Sequence, residues 1–240
     1  SPSWLVGAYR RCPHLVVAEP LAAVTLRDET HYAAWWGRVP YEAMWRRMQA
    51  YTAACDDASP DWLWCVEHDP VYTLGLAGRE THLTPAARAS GTPVVRCDRG
   101  GQVTWHGPGQ LVVYTLWDLR RRGLTVRALV ALLEEAVIRL LADHGIRGER
   151  KPGAPGVYVD GAKIAALGLK VRHGRCYHGL SLNVANDLEP FARIDPCGYP
   201  GLAVTRTADW GWNPPLTAAA EALADYLPSG NWTWCAPPAI

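Results

Sequence analysis

The chain has 240 residues, of which 49% are hydrophobic and 20% are charged, and its formal net charge is +1. These proportions are typical of globular proteins and exclude intrinsic disorder, while the balanced charge gives no reason to expect a nucleic-acid partner. No stretch approaches the roughly 20 apolar residues that a membrane span requires. We therefore predict a single domain over residues 1–240 with no membrane segment.

The cysteines indicate a reducing compartment. Seven of them are spread along the chain without a CxxC spacing, which is not the pattern of a disulfide framework or of a structural zinc site. The N-terminus also lacks a basic segment followed by an apolar run, the pattern of an export signal. We expect a cytoplasmic protein that binds no metal.

Apolar residues at three- and four-residue spacing predict three helices, over residues 41–55, 126–143 and 215–227. Apolar or alternating runs predict strands over residues 62–67, 92–97 and 111–117. Two hairpins follow, the first turning at Asp160-Gly161 and the second at His173-Gly174. Helices interspersed with antiparallel hairpins indicate an α+β fold rather than a doubly wound parallel sheet.

Residues 99–110 form a glycine-rich segment, Arg-Gly-Gly-Gln-Val-Thr-Trp-His-Gly-Pro-Gly-Gln. Its glycines allow the backbone to approach a ligand and expose amide N–H groups, and its polar side chains include those of Arg99, Gln102, Thr104 and His106. The segment is not a phosphate loop, since it contains neither GxxxxGK[ST] nor GxGxxG. It predicts a ligand-binding loop, and the alternative is a turn between two strands.

Lys163 begins an apolar strand in which alternation places it on one face with Ala165 and Leu167. A lysine among apolar groups is partly desolvated, and the alternative is a lysine at a strand end whose amine extends to water. Only three of the 24 basic residues are lysines, which favours a position that needs a titratable amine.

Cys197 lies between a proline and a glycine in an irregular, proline-rich stretch. A thiol acts as a nucleophile when substrate reaches it and a neighbouring cation lowers its pKa from about 8.5 toward 7. This context favours Cys197 over Cys65 and Cys97, which lie in strand-like runs, although any single cysteine is more often an inert core residue. Spacing along the chain does not show that Cys197 meets Lys163.

Taken together and in this order, the segments resemble the lipoyl(octanoyl) transferase family, whose members move octanoyl groups from acyl carrier protein to lipoyl domains. The resemblance runs from about residue 41 to residue 208. Its segments are residues 67–75 (EHDPVYTLG), 99–110, 154–159 (APGVYV), 163–168 (KIAALG), 178–184 (HGLSLNV) and 194–199 (IDPCGY).

The resemblance implies a mixed, largely antiparallel sheet packed with helices, as in the catalytic module of biotin and lipoate ligases. It assigns the acyl-thioester nucleophile to Cys197 and the partner that lowers the thiol pKa to Lys163. Substrate contacts are implied at Arg99, Gly100, Gly101, Gln102, Val103, Thr104, Trp105, His106, Ala166, Leu167, Gly168, Gly179, Leu180 and Ser181. Two of these residues depart from the family pattern, since Trp105 replaces a usual tyrosine and Ala166 a frequent serine. We expect these changes to alter packing or chain-length preference.

The implied donor is octanoyl-acyl carrier protein, and the implied acceptors are lipoyl domains of 2-oxoacid dehydrogenases and the glycine cleavage H protein. Exchange between two thioesters is nearly isoenergetic, so neither ATP nor a cofactor is expected. His106 and His178 are expected to shape the pocket, and the alternative is a general base beside the thiol.

Four other functions remain open at this point. An ATP-dependent lipoate or biotin ligase would release pyrophosphate, and a transferase between two lipoyl domains would prefer a different donor. A hydrolytic cysteine enzyme would release free fatty acid, and a non-catalytic binding module would need neither Cys197 nor Lys163.

Overall fold

The computed structural model of the protein describes residues 31–195, 202–228 and 231–238. Within these ranges the strands form one sheet of eight and one of three. The larger sheet has the order β11 (Thr233–Trp234), β1 (His31–Val39), β2 (Asp61–His68), β6 (Gln110–Asp118), β10 (Arg175–Asn183), β9 (Ala162–Arg172), β8 (Ala154–Val159) and β7 (Glu149–Lys151). The smaller sheet has the order β4 (Val94–Arg96), β3 (Val71–Leu74) and β5 (Val103–His106).

The larger sheet is mixed and largely antiparallel. β1 pairs in parallel with β2 and β11, and the other neighbouring strands pair antiparallel. Asp160-Gly161 and His173-Gly174 are the two-residue turns of consecutive hairpins, and all four residues have positive φ. Positive φ at both central positions is what a tight type I′ turn requires. The α+β prediction and both predicted hairpins are confirmed.

Helices cover both faces of the larger sheet. They are α1 (Tyr41–Ala54), α2 (Pro85–Ala89), α3 (Leu119–Arg122), α4 (Val126–Asp143) and α5 (Leu216–Ala224). Because successive strand residues point to opposite faces, Trp64 packs with α1 on one face, while its neighbours Leu63 and Cys65 pack with α4 and α5 on the other. The two hydrophobic cores therefore share the same strands.

A buried carboxylate connects the first residue of β2 to the start of α3. The Asp61 side chain has no exposed surface and accepts hydrogen bonds from the backbone N–H of Asp118, from Arg121 at 2.8 Å and from Arg122 at 2.6 Å. Leaving a buried charge without such partners costs several kcal/mol. Asp61 is therefore an anchor of the sheet.

The three predicted helices are confirmed, the longest with the same bounds and the last as the shorter Leu216–Ala224. Strands β1, β3, β7 and β11 were not predicted, and β5 occupies part of the segment predicted as a loop. β1 has the sequence HYAAWWGRV, in which small and aromatic residues follow no clear alternation. In the described ranges, no helix has both the length and the apolar composition needed to cross a bilayer.

Candidate active site

A cavity of about 360 Å³ lies against β9 and β10. This volume falls within the range of roughly 300–1,000 Å³ that is usual for small-molecule sites. Lys163 and all the predicted substrate-binding residues except Trp105 line it. The structure thus brings together three separate segments of the chain, residues 99–106, 163–168 and 179–181.

Trp105 is the exception. Its side chain is buried in a separate hydrophobic cluster, with its ring centroid 5.7 Å from that of Phe191. The indole also covers Gly107, where an added Cβ would lie 2.2 Å from the ring. The departure from tyrosine at this position therefore concerns packing behind the cavity wall.

Arg99 holds the glycine-rich loop in shape. Its guanidinium donates to the hydroxyl and carbonyl oxygens of Thr73, at 2.7 and 2.9 Å, and to the carbonyls of Gly100 and Gln102, at 3.0 and 3.2 Å. Most of its N–H groups are therefore occupied within the protein. Although Arg99 lines the cavity, its side chain mainly connects the loop to β3 through these hydrogen bonds.

Glycines allow the loop and the sheet to approach each other closely. The N–H of Gly100 donates to the carbonyl of Leu169 at 2.9 Å, and a Cβ on Gly168 would lie 3.0 Å from the carbonyl oxygen of Gly100. On the neighbouring strand, a Cβ on Gly179 would lie 2.1 Å from the carbonyl oxygen of Val113. The spacing of these backbones leaves no room for side chains.

A β-bulge orients Lys163. Strict alternation would put Lys163 on the face of Ala165, but β9 carries one extra residue here, because Tyr158 pairs with Lys163 while Val157 pairs with Ala165. Ile164 and Ala165 consequently both pack in the same core. The predicted sharing of a face by Lys163 and Ala165 is wrong, since a bulge changes the phase of alternation. Lys163 and Ala166 both line the cavity, and Ala165 borders it as well.

The Lys163 side chain lies over Gly156, where an added Cβ would be 2.8 Å from Cε. Its Nζ is 6.0 Å from the ring centroid of Tyr158. The backbone of Lys163 pairs with the segment that follows residue 201, donating to Ala203 at 2.8 Å and accepting from Thr205 at 2.9 Å. The amine thus stands where a second chain segment meets β9.

Cys197 lies outside the described residues, in the interval 196–201. Both described flanks of that interval reach the cavity. Ile194, which forms a bridge with Leu83, lines the cavity on one side, and Leu202 and Val204 line it on the other. The chain therefore leaves and re-enters the described structure at the same cavity that Lys163 lines.

Two cysteines in the core of the sheet are poor nucleophiles. Cys65 and Cys176 are buried in the core, and burial raises the pKa of the Cys65 thiol strongly and that of Cys176 to about 11. A thiol with a raised pKa carries little thiolate at neutral pH. Within the described ranges, no three His, Cys, Asp or Glu side chains are placed to share a metal ion.

A buried cluster of histidines and tyrosines adjoins the cavity, and among its members only His106 had a predicted role. His68 donates from Nδ1 to the carbonyl of Val39 at 2.7 Å, so its Nε2 accepts from the hydroxyl of Tyr114 at 2.6 Å. The ring of Tyr41 stacks on His106 with 5.7 Å between centroids. No local pattern signals this cluster, because its members come from α1 and three different strands.

We expect the free energy of unfolding to fall as pH is lowered from about 7 to 5. Burial lowers the pKa of His68 to about 4 and that of His106 to about 3, below the usual value of about 6.5. The unfolded chain therefore binds more protons in this interval, so stability declines with acidification. Two such protons contribute roughly 2 kcal/mol per pH unit near pH 5. Urea unfolding at pH 7, 6 and 5 measures the slope.

A His68→Gln variant should reduce that slope by about 1 kcal/mol per pH unit. His173→Asn is the matched control, because His173 is exposed in a turn and asparagine tolerates its positive φ. The control should leave the slope as it is in the wild type. An unchanged slope in His68→Gln would contradict a neutral, buried His68.

Asp98, at the start of the glycine-rich loop, also had no predicted role. Its carboxylate accepts hydrogen bonds from four side chains on α1 and β10. The donors are Trp45 at 2.8 Å, His178 at 2.7 Å, Gln49 at 3.3 Å and the hydroxyl of Tyr177. Burial alone would raise the pKa of Asp98, but the bonds from His178 and Tyr177 hold it well below its usual range. Asp98 is therefore ionised.

The arrangement suits a reaction on a long apolar group. The cavity extends along β9 from Lys163 to Leu169, six residues or roughly 20 Å of strand. Its walls are mainly apolar side chains and glycine backbone, with a lysine at one end. It can therefore hold an aliphatic chain whose reactive carbonyl is near the amine.

Comparisons with known proteins agree with this description. The lipoyl protein ligase A/B catalytic domain family matches residues 40–227. An octanoyltransferase of Thiobacillus denitrificans is 59% identical over 191 residues, which cover 80% of this chain and 86% of that protein. An octanoyltransferase of Azoarcus sp. is 56% identical over the same length, covering 80% and 83%.

Two solved structures show the fold alone. A bipartite lipoate protein ligase with its E2 lipoyl domain, from Thermoplasma acidophilum, has a TM-score of 0.66 at 14% identity and covers 82% of each chain. A biotin protein ligase from Aquifex aeolicus, in complex with biotin and ATP, has a TM-score of 0.52 at 13% identity and covers 81% of this chain and 68% of that one. The predicted likeness to the catalytic module of biotin and lipoate ligases is confirmed.

Proposed function

Because the chain belongs to the lipoyl protein ligase A/B catalytic domain family, we propose that it takes an octanoyl group from acyl carrier protein onto Cys197 and passes it to a lysine of a lipoyl domain. Octanoyl transfer in lipoate biosynthesis is its activity, as in octanoyltransferases 53–59% identical to it. To this activity we add the identity of the donor, the thioester on Cys197 and the identity of the acceptor.

One observation carries the proposal. Lys163 lies at one end of an apolar cavity, and the residues on both sides of the interval that contains Cys197 line that same cavity. An octanoyl tail in the cavity would bury six or more carbon groups at about 0.8 kcal/mol each, or roughly 5 kcal/mol before the cost of association. Such burial favours a medium-chain acyl group as the substrate.

In the first step, the Lys163 ammonium stabilises the Cys197 thiolate by its charge. The thiolate attacks the carbonyl carbon of the octanoyl-carrier thioester, so that a new bond to Sγ forms as the bond to the carrier sulfur breaks. The carrier leaves as a thiolate and takes up the proton of the Lys163 ammonium, so the Lys163 amine is neutral when the acceptor arrives. Backbone N–H groups of the glycine-rich loop are candidates for stabilising the oxyanion, at about 3 kcal/mol per donor.

In the second step, the amine of the acceptor lysine attacks the Cys197 thioester. The new C–N bond forms as the C–S bond breaks, which yields an amide and regenerates the thiolate. The proton lost by the amine passes to Lys163 or to water. In both steps a new bond forms for each bond that breaks, so the reaction needs neither ATP nor a cofactor.

The proposed acceptors are the lipoyl domains of 2-oxoacid dehydrogenases and the glycine cleavage H protein. The lipoate protein ligase of Thermoplasma acidophilum, which has a similar fold, was solved with an E2 lipoyl domain, and this supports a lipoyl domain as the partner here. We also propose that residues 1–240 act as one catalytic domain in the cytoplasm. A free thiol at Cys197 needs a reducing compartment.

The biotin protein ligase with a similar fold was solved with ATP, so an adenylate-forming ligase is the second candidate. Sequence relationship favours the transferase, because the proteins of more than half identical sequence are octanoyltransferases. Pyrophosphate release from ATP in the presence of octanoate would support the ligase mechanism instead.

Intact mass measurement after incubation with octanoyl-acyl carrier protein, without any acceptor, tests the proposal. We expect the protein to gain one octanoyl group in a bond labile to hydroxylamine, with release of one equivalent of carrier thiol. Subsequent addition of a lipoyl domain should move the group to that domain. Carrier release that requires the acceptor would contradict a free acyl-enzyme.

A further inference from the structure

His178 has an unusual backbone conformation for a strand residue. Its φ is +63°, and the two other described non-glycine residues with positive φ, Asp160 and His173, both lie in hairpin turns. A side chain makes this region of φ unfavourable, so surrounding contacts must impose it. The imidazole Nε2, which donates to Asp98 at 2.7 Å, is such a contact.

The strand ladder is interrupted at the same place. Cys176 pairs with Trp117, and Gly179 pairs with Tyr114, but the ladder between β6 and β10 has no pairs at the two residues between them. The carbonyl of His178 instead accepts from the Thr115 hydroxyl at 3.5 Å. The peptide group that precedes Gly179 is therefore turned out of the regular ladder.

The residues after this irregularity form one wall of the cavity. Gly179, Leu180 and Ser181 line it, and Gly179 packs so closely against Val113 that no side chain fits. A small change in the backbone conformation of His178 would move this wall, because Gly179 packs against Val113 without free space between them.

Asp98 also helps to position the opposite wall of the cavity, which the glycine-rich loop forms. It is joined by a peptide bond to Arg99, which braces the glycine-rich loop, and its bonds to Trp45 and Gln49 tie the loop to α1. Both walls of the cavity thus depend on a single carboxylate.

We propose that Asp98 is a positioning residue that sets the width of the octanoyl cavity, by holding His178 in its left-handed conformation on one wall and the start of the glycine-rich loop on the other. The inference rests on the proposed use of this cavity for the acyl group. It assigns no chemical step to Asp98.

Asp98→Asn is the first test. The amide supplies one acceptor oxygen, while its NH2 group faces N–H or O–H groups that now donate hydrogen bonds to the carboxylate. We expect KM for octanoyl-acyl carrier protein to rise about tenfold, with kcat within about threefold of the wild type. Discrimination between octanoyl and decanoyl donors should also weaken. Steady-state kinetics with both donors measures these changes.

Asp61→Asn is the matched control, since Asp61 is a fully buried carboxylate that also accepts several hydrogen bonds, none of them from a residue that lines the cavity. Both variants should lower the melting temperature, but only Asp98→Asn should raise KM. If the two variants behave alike, with stability lost and KM unchanged, Asp98 is merely structural and the inference fails.

His178→Asn and His178→Ala give a second test in case Asp98→Asn does not fold. Asparagine tolerates a left-handed conformation and carries an N–H donor, whereas alanine offers neither. We expect KM to stay near the wild type in the first variant and to rise about tenfold in the second. Equal KM values in both would overturn the inference.

Calorimetric binding of octanoate separates this inference from the proposed transfer reaction. If acyl carrier protein is not the donor, yet octanoate binds about tenfold more weakly to Asp98→Asn than to the wild type, the inference stands. If octanoate binds both proteins equally, or binds neither, it is wrong.

Discussion

Replacing Cys197 with serine is expected to lower the rate of octanoyl transfer at least about 1,000-fold, a loss of roughly 4 kcal/mol of transition-state stabilisation. A serine hydroxyl is a much weaker nucleophile than a thiolate at neutral pH. The octanoyl adduct should disappear from the intact mass spectrum. Transfer to a lipoyl domain, followed by mass spectrometry of that domain, gives the rate.

Cys55→Ser is the control for this prediction. Cys55 is half-buried outside the cavity, and burial raises the pKa of its thiol. Its replacement should leave both the adduct and the transfer rate close to those of the wild type. A transfer rate in Cys197→Ser equal to that of the wild type would show that the acyl group does not pass through this thiol. Such a result would support the ligase mechanism.

Replacing Lys163 with alanine is expected to lower the transfer rate roughly 100-fold or more at pH 7, within the range that is typical for loss of a proton-transferring group. Without the ammonium, the thiol returns toward its ordinary pKa of about 8.5, so only a small fraction is ionised. Part of the loss should therefore be recovered as pH rises from 7 to 9. Single-turnover rates of acyl-enzyme formation across this range measure the recovery.

Lys163→Arg separates the two roles proposed for the amine. Arginine retains the positive charge but does not give up its proton at accessible pH, so it can stabilise a thiolate but cannot act as a base. We expect acyl-enzyme formation to survive better than amide formation in this variant. The acyl-enzyme should accumulate when a lipoyl domain is present. Equal loss of both steps would contradict a base role.

Lys170→Ala is the matched control for both Lys163 variants. Lys170 lies on the same strand, β9, opposite Tyr177, but it does not line the cavity. Its replacement should leave both half-reactions within about twofold of the wild type. A comparable loss in this variant would point to a general effect of charge on β9.

Lys163 belongs to one set of residues at the cavity, and Asp98 and His178 belong to another. Lys163 lies at the bulge in β9, and His178 pairs with Leu169, six residues further along that strand. Variants at the Lys163 end should therefore change kcat and its dependence on pH, while variants of Asp98 and His178 should change KM and chain-length preference. This division is itself testable, because effects at separate sites combine additively.

Elements whose geometry is local could be predicted from the amino-acid sequence alone. Amphipathic spacing predicted α1 and α4, and Asp160-Gly161 and His173-Gly174 predicted the hairpins, because a helix face or a tight turn is specified by residues a few positions apart. The motifs, taken together, also indicated the family. The predicted site residues that the structure describes, apart from Trp105, line one cavity.

The construction of the cavity depends on tertiary contacts that the sequence did not reveal. The bulge that directs Lys163 into it depends on the pairing of β8 with β9, and no feature of the lysine segment alone reveals it. Asp98 meets His178 across 80 residues and Trp45 across 53, and His68 meets Tyr114 across 46. Contacts of this kind follow from the order in which strands join the sheet, and local patterns of hydrophobicity and turn residues do not specify that order.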